Sequence, residues 1–120
     1  MIRKLKPGEW YYSYENENDD ELNKNPYEES DIWVDENNFQ HNEPGVPSFF
    51  KFFKVSKYSR KVYRVHGRRH NLFGPAFIDY NEKGEIVNEE YYINSVFFYK
   101  SQWEEKAYIG RNRILMLNEI

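Results

Sequence analysis

Three histidines, His41, His66 and His70, have the ordinary pKa nearest neutrality in this sequence and are the first candidates for proton transfer or metal ligation. Neither chemistry works with a lone imidazole. A general base needs a group to orient it, and a cation needs two or three further ligands. No acid or second histidine recurs at a fixed spacing from any of the three. His41 and His70 stand 29 residues apart, each followed by Asn and then by a Gly, Gly45 or Gly74. That equivalence predicts one turn-stabilising hydrogen bond made twice; His66 aligns with Asn94 as another turn residue.

The carboxylates are no more promising. Glu89 and Glu90 are neighbours in a strand-like run and would point to opposite faces. Glu15, Glu17, Asp19 and Glu21 alternate as calcium ligands do, but the central Gly that such a loop needs is missing, so the stretch reads as a solvated loop. There is no Gly-rich phosphate loop, no nucleophile elbow and no His-Glu-x-x-His zinc motif. With no cysteine there is no disulfide, thiolate site or thiol nucleophile either. The expectation is a protein that is not an enzyme and holds no metal or cofactor.

Charge is distributed more suggestively. Between residues 51 and 71 there are eight Lys and Arg and no acid, whereas residues 15–43 carry eleven acids and the single Lys24. The candidate binding residues are Lys51, Lys54, Lys57, Tyr58, Arg60, Lys61, Arg64, Arg68 and Arg69, interleaved with Phe49, Phe50, Phe52, Phe53 and Tyr63. Cations reach phosphates and exposed rings stack on bases, so nucleic-acid binding through the hairpin 49–69 is one reading. Against it stand a net charge of −3 and the habit of Phe-rich sheets of using their rings as core. The preferred reading is a protein contact, with rings and Arg as anchors and charge for orientation. The partner would be another protein or a second copy of the chain, which makes homo-oligomers an option. The acidic 15–43 segment would either cover the basic hairpin or meet the partner.

The elements that must hold these residues are mostly strands. One hundred and twenty residues make one domain, and 19% aromatic content with little Ala or Leu leans to β structure. Residues 8–14 (GEWYYSY), 31–35 (DIWVD), 49–55 (FFKFFKV), 60–66 (RKVYRVH), 76–80, 89–94 and 96–99 read as strands. Residues 15–30 read as loop, with turns at 36–48, 56–59 and 81–84. Ser101-Gln-Trp-Glu104 is a capping-box pattern opening a helix of 101–109, with Gly110 placed to end it and Trp103, Ala107 and Tyr108 sharing the face turned to the sheet. Residues 113–117 would be a buried strand or a tail beside the helix. No apolar run has the length of a signal peptide or a membrane span, which points to a cytoplasmic protein without a membrane partner.

The 41–67 and 70–95 stretches form an internal repeat, since Tyr63–Gly67 also matches Tyr91–Ser95 at an offset of 28. Tandem units of this size cannot bury their apolar faces alone and are stabilised by stacking and capping. The chain divides accordingly into N-terminal cap strands and acidic loop (1–40), a first copy (41–69), a second copy (70–98) and a helical cap (101–120). The second copy, through His70, Gly74, Pro75, Ala76, Gly84, Tyr92, Ile93 and Asn94, resembles the HR-x-x-GPA tandem repeats of bacteriophage and giant-virus proteins, which look like MORN-type repeats. Asn71 stands where that family often has Arg, Ser95 replaces its closing Gly, and the first copy reads Gly-Val-Pro-Ser instead of Gly-Pro-Ala. The resemblance implies a hairpin array from a viral or mobile-element setting and implies no activity; joined to the protein-contact reading, it gives the expectation of a viral accessory protein that binds or inhibits a host factor in the host cytoplasm. The expected fold is mainly β, an antiparallel meander of tandem β-hairpin repeats with one short C-terminal α-helix packed on the sheet.

Overall fold

Aromatic and β-branched runs become strands throughout the chain. The computed structural model describes residues 1–14, 20–25 and 30–118, with residue 20 and residues 114–118 described by backbone alone. The strands, in order, are β1 (Arg3–Lys4), β2 (Trp10–Tyr14), β3 (Asp20–Lys24), β4 (Ser30–Val34), β5 (Phe49–Phe52), β6 (Ser59–Val62), β7 (Arg64–Val65), β8 (Arg68–Arg69), β9 (Phe77–Tyr80), β10 (Ile86–Ile93) and β11 (Val96–Phe98), and one helix follows, α1 (Lys100–Asn118). Seven of the strands form one antiparallel sheet ordered β1-β4-β5-β6-β9-β10-β11, while β2-β3 and β7-β8 are separate hairpins. From β4 onwards each strand of the sheet pairs with the next one in the chain order of the sheet, which is the expected meander.

Register sorts the side chains onto two faces. Ile32, Phe49, Val62 and Phe77 lie in one row across β4, β5, β6 and β9, and Lys51, Arg60 and Asp79 follow on the same face. Asp31, Phe50, Lys61, Ile78 and Glu89 make a row on the opposite face. The β2-β3 hairpin caps the first face at the N-terminal end, where Leu5, Tyr11, Ile32 and Val34 are buried with Phe49 against them. The helix caps the other face at the C-terminal end, where Tyr91, Trp103 and Ala107 are buried against Leu72, Ile93 and Phe98. The two caps therefore sit at opposite ends and on opposite faces of the sheet.

Equivalent residues of the two copies make equivalent bonds. His41 Nδ1 accepts from the His66 amide at 2.8 Å, and His70 Nδ1 accepts from the Asn94 amide at 3.0 Å. The amides of Asn42 and Asn71 donate to the carbonyls of Arg64 and Tyr92, and their side-chain amides donate to the carbonyls of Pro47 and Pro75. Each copy also closes on a two-residue turn, His66-Gly67 joining β7 to β8 and Asn94-Ser95 joining β10 to β11. All four of those residues have positive φ, as the hairpin turn matched to strand twist demands. Gly67 is required twice over, since a Cβ there would lie 2.7 Å from Phe39 Cδ1.

Several boundaries differ from expectation, each for a physical reason. Residues 20–24 are not loop: Asp20–Lys24 pairs along the whole of β2, drawn in by backbone bonds and not by an apolar pattern. Residues 60–66 are not one strand, because at Tyr63, between β6 and β7, the partner changes: its amide still donates to the Ala76 carbonyl beside β9, whereas its carbonyl accepts from the His70 amide just beyond β8. The helix starts at Lys100 and runs to Asn118, so residues 113–117 are helical and not a strand. Its cap is Tyr99, whose amide donates to Gln102 Oε1 while its carbonyl accepts from Trp103, a frame two residues before the Ser101 box. Gly110 does not end the helix; it lets the helix approach Leu72, whose Cδ1 would be 3.0 Å from an added Cβ. The alternating acids Glu15, Glu17 and Asp19 lie outside the described residues.

Candidate functional site

The nine residues of the basic block are dispersed by the strand geometry. Lys51 and Arg60 are cross-strand neighbours on the β2-β3 face, whereas Lys61 points to the other face. Arg60 forms a two-pronged ion pair with Asp79 of the second copy, at 2.8 and 3.3 Å, and its guanidinium lies 4.5 Å from the centre of the Phe77 ring. The Lys51 ammonium sits 5.0 Å over Phe53 and that of Lys61 sits 5.3 Å over Tyr80. Lys54, Lys57 and Tyr58 gather at the β5-β6 hairpin tip, where Lys57 takes a left-handed φ of 59°.

Arg64 is only 8% exposed and works as an internal clamp. Its Nη1 donates to the carbonyls of Tyr14 and Gly67, both at 2.8 Å, tying the β2-β3 hairpin to the first copy. Arg68 stacks on Tyr14 and Arg69 on Tyr92, at 4.2 and 4.3 Å. Arg60 and Arg64 meet in one depression, a groove of about 210 Å³ that Tyr11, Ser13 and Phe77 also line. The cations thus spend much of their charge on this chain's own rings, carbonyls and carboxylates, and the faces of Phe53, Phe77, Tyr80 and Tyr92 are occupied by them.

A histidine constellation emerges that spacing alone did not signal. Asp35, buried beside β4, accepts from the amides of Asn37 and Phe39 and from His66 Nδ1 at 2.6 Å. Burial pushes the Asp35 carboxyl up, but the His66 contact and the two amides outweigh it and leave the group below its ordinary value. The His41 and His66 rings stack with centroids 4.0 Å apart. Burial, with the neighbouring His66, moves His41 down, and burial moves His70 down, so both are neutral imidazoles at pH 7 with Nδ1 committed as acceptor and the proton on Nε2. Asp35 and His66 are 31 residues apart, and neither has a partner at regular spacing. Among the described residues no three His, Asp or Glu side chains converge on a cation-sized space.

Exposed apolar side chains occur in several places, Phe52, Val55 and Tyr58 at the β5-β6 tip among them, and one group of them lies at the last strands of the sheet. β10 pairs with β9 through residues 86–90 but with β11 only through Tyr91, Tyr92 and Ile93. On the β11 side, residues 86–90 face no strand among the described residues. Glu90 turns its carbonyl to Ala76 on the β9 side, so the N–H and C=O of Glu89 point to the open side. About this edge Ile86 and Val87 are half exposed, and Val96, Phe97 and Tyr99 extend the apolar surface. Phe97 packs edge-on against both Tyr92 and Tyr99. Glu89 and Glu90 accept the hydroxyls of Tyr91 and Tyr92 at 2.8 Å, which fixes two carboxylates along the same edge. No helix of the described residues is long and apolar enough to cross a membrane. No family model matches the chain, and no curated protein and no solved structure matches it significantly.

Proposed function

We propose that the protein is a non-enzymatic interaction module whose contact surface is the open edge of β10 with the rings of β11. The observation that carries this reading is the edge itself: among the described residues no strand pairs with 86–90 on one side, and Ile86 and Val87 stand half exposed beside it. A strand with free N–H and C=O groups is a template for another strand, and natural proteins usually blunt such an edge with Lys, Pro or a covering element. Here the edge carries two glutamates and two aliphatic side chains. The fitting partner is an extended segment of another protein with a pair of basic residues to lie opposite Glu89 and Glu90 and a pair of apolar ones to lie opposite Ile86 and Val87. The likeness of the second copy to viral tandem repeats supports a viral accessory protein that binds a host factor in the host cytoplasm.

Selection of short extended peptides from a displayed library against the whole chain tests the reading. Enriched sequences should combine a pair of basic residues with a nearby pair of apolar ones, and Glu89→Pro, which removes the outward N–H, should abolish their binding, as should Val87→Lys. A library that enriches nothing, or peptides indifferent to both substitutions, sinks it. Light scattering covers self-association: an oligomer that Val87→Lys dissolves identifies the partner as a second copy, whose β1 edge carries Arg3 and Lys4. Titration with labelled DNA and RNA at low salt covers the other class, since binding that survives Val87→Lys but falls with Lys61→Gln would move the function to the basic hairpin.

A further inference from the structure

The two copies of the repeat use their first histidine alike but surround it differently. In the first copy the His41 ring is stacked against His66. In the second copy Asn94 occupies the place of His66 and brings no ring. There the His70 imidazole lines an open cleft between the hairpin turn and α1, about 420 Å³ in volume. Its walls are Leu72, Ile93 and Ile109 on the apolar side and His70, Lys106 and Arg113 on the polar side. Among the described residues, no carboxylate lines it.

We propose that this cleft binds an aliphatic carboxylate, with its chain on Leu72, Ile93 and Ile109 and its head held by His70 Nε2–H, Lys106 and Arg113. Each element of the cleft has a role in that. His70 Nδ1 is taken by the Asn94 amide, so the neutral ring presents Nε2–H as a fixed donor on the hairpin wall. Lys106 and Arg113 are seven residues apart on α1, two turns, and flank the Ile109–Gly110 segment that closes on Leu72. Long cationic side chains on either side of an apolar floor suit a monoanion with an aliphatic stem better than a bare inorganic ion, which would gain nothing from the three apolar walls. The volume lies within the range of small-ligand sites. The same head group could come from a free fatty acid or from the chain terminus of a peptide ending in a branched aliphatic residue. The proposal is independent of the β10 edge and goes beyond it.

The test uses the full chain and follows the imidazole and Ile methyl resonances by NMR. The probes are octanoate, octanol, inorganic phosphate and an acetylated tripeptide ending in leucine, as its free carboxylate and as its amide. Saturable shifts at His70, Ile93 and Ile109, without shifts at His41, are expected from octanoate or from the free-acid peptide. Octanoate alone identifies the ligand as a free acid, and the peptide alone identifies it as a chain terminus. Arg113→Gln or Lys106→Gln should each weaken binding by about fivefold or more, the loss of one charge-assisted contact at a partly exposed site. Ile109→Glu, at an exposed position, should abolish it while leaving the thermal transition in place. Equal binding of octanol, of the peptide amide or of inorganic phosphate, or no saturable shift with either carboxylate, overturns the proposal.

Discussion

Single residues at the two repeat turns carry opposite strains. Gly67 closes the first turn at a φ of 85° without penalty, whereas Ser95 closes the second at 66°, a left-handed conformation that costs a side chain about 1 kcal/mol or more. The Ser95 hydroxyl is also buried with no hydrogen-bond partner among the described residues. Ser95→Gly removes both penalties, offset by the greater freedom of Gly in the unfolded chain, and should stabilise the protein by about 1 kcal/mol. A thermal transition raised by roughly 4 °C is the expected reading, and an unchanged or lowered one contradicts it. Asp35 gives the pH-dependent counterpart. Its folded-state pKa lies below the unfolded value, so its contribution is complete above about pH 4 and is lost as pH falls through the lower, folded value. Asp35→Asn should therefore cost about 1–3 kcal/mol at pH 7, and its stability should vary less with pH below 4 than that of the parent. Denaturant melts from pH 2.5 to 7 on both proteins make the comparison, and parallel curves would exclude Asp35 as the source. The histidines show how far residue types can be read without coordinates. The matched hydrogen bonds of His41 and His70 were legible because the repeat places them alike. The Asp35–His66 pair was not, because it joins the end of β4 to a distant turn and leaves no periodic trace.

Elements were legible where a run of aromatic or β-branched residues is bounded by turn chemistry, as in β2, β5, β9 and β11. They were not where the backbone alone decides. β3 reads DELNK, with no apolar face, and exists because β2 offers it a ladder. The helix was read one full half too short because Gly110 suits a C-cap, yet here the missing Cβ serves close packing on Leu72. The same limit governed the basic block: its cations and rings were evident in sequence, but strand alternation sends Lys51 and Lys61 to different faces and turns Arg64 inward. What holds α1 is Trp103, 7% exposed, tilted against Tyr91 with centroids 4.8 Å apart, and donating its indole N–H to the Asn71 carbonyl at 2.9 Å. Trp103→Ala should cost about 3–5 kcal/mol, and Trp103→Phe about 1–2 kcal/mol for the lost hydrogen bond and smaller ring. Guanidinium melts on the three proteins provide the values. A loss below 1 kcal/mol for the alanine variant would mean that the helix is not a structural cap.

At the scale of the whole molecule, the two caps act on different ends of one meander, and this decides how damage spreads. The β2-β3 hairpin is bound to the first copy through the Arg64 clamp and through Phe49, which packs on the Leu5–Tyr11–Ile32–Val34 cluster. The helix is bound to the second through Tyr91, Leu72 and Ile93. Among the described residues the copies are joined by neighbour-to-neighbour strand pairs, by the contacts of Arg60, Lys61 and Arg69 with the rings of Phe77, Tyr80 and Tyr92, and by the Arg60–Asp79 ion pair, which at a partly exposed site couples them by no more than about 1 kcal/mol. Stability in such an array is close to a sum of local terms and nearest-neighbour interfaces. Under native conditions the loss caused by Trp103→Ala should then be uneven. Amide exchange should accelerate most in β9, β10 and β11, less in β6, and least in β2 and β4. Gly67→Ala, which forces a Cβ onto Phe39 and Tyr14, should produce the reverse gradient, with β2, β3 and β4 losing most protection. Exchange measured by mass spectrometry on overlapping peptides resolves the two patterns. If both variants accelerate every strand by one common factor, the chain folds as a single all-or-none unit, and the two ends cannot be loosened separately.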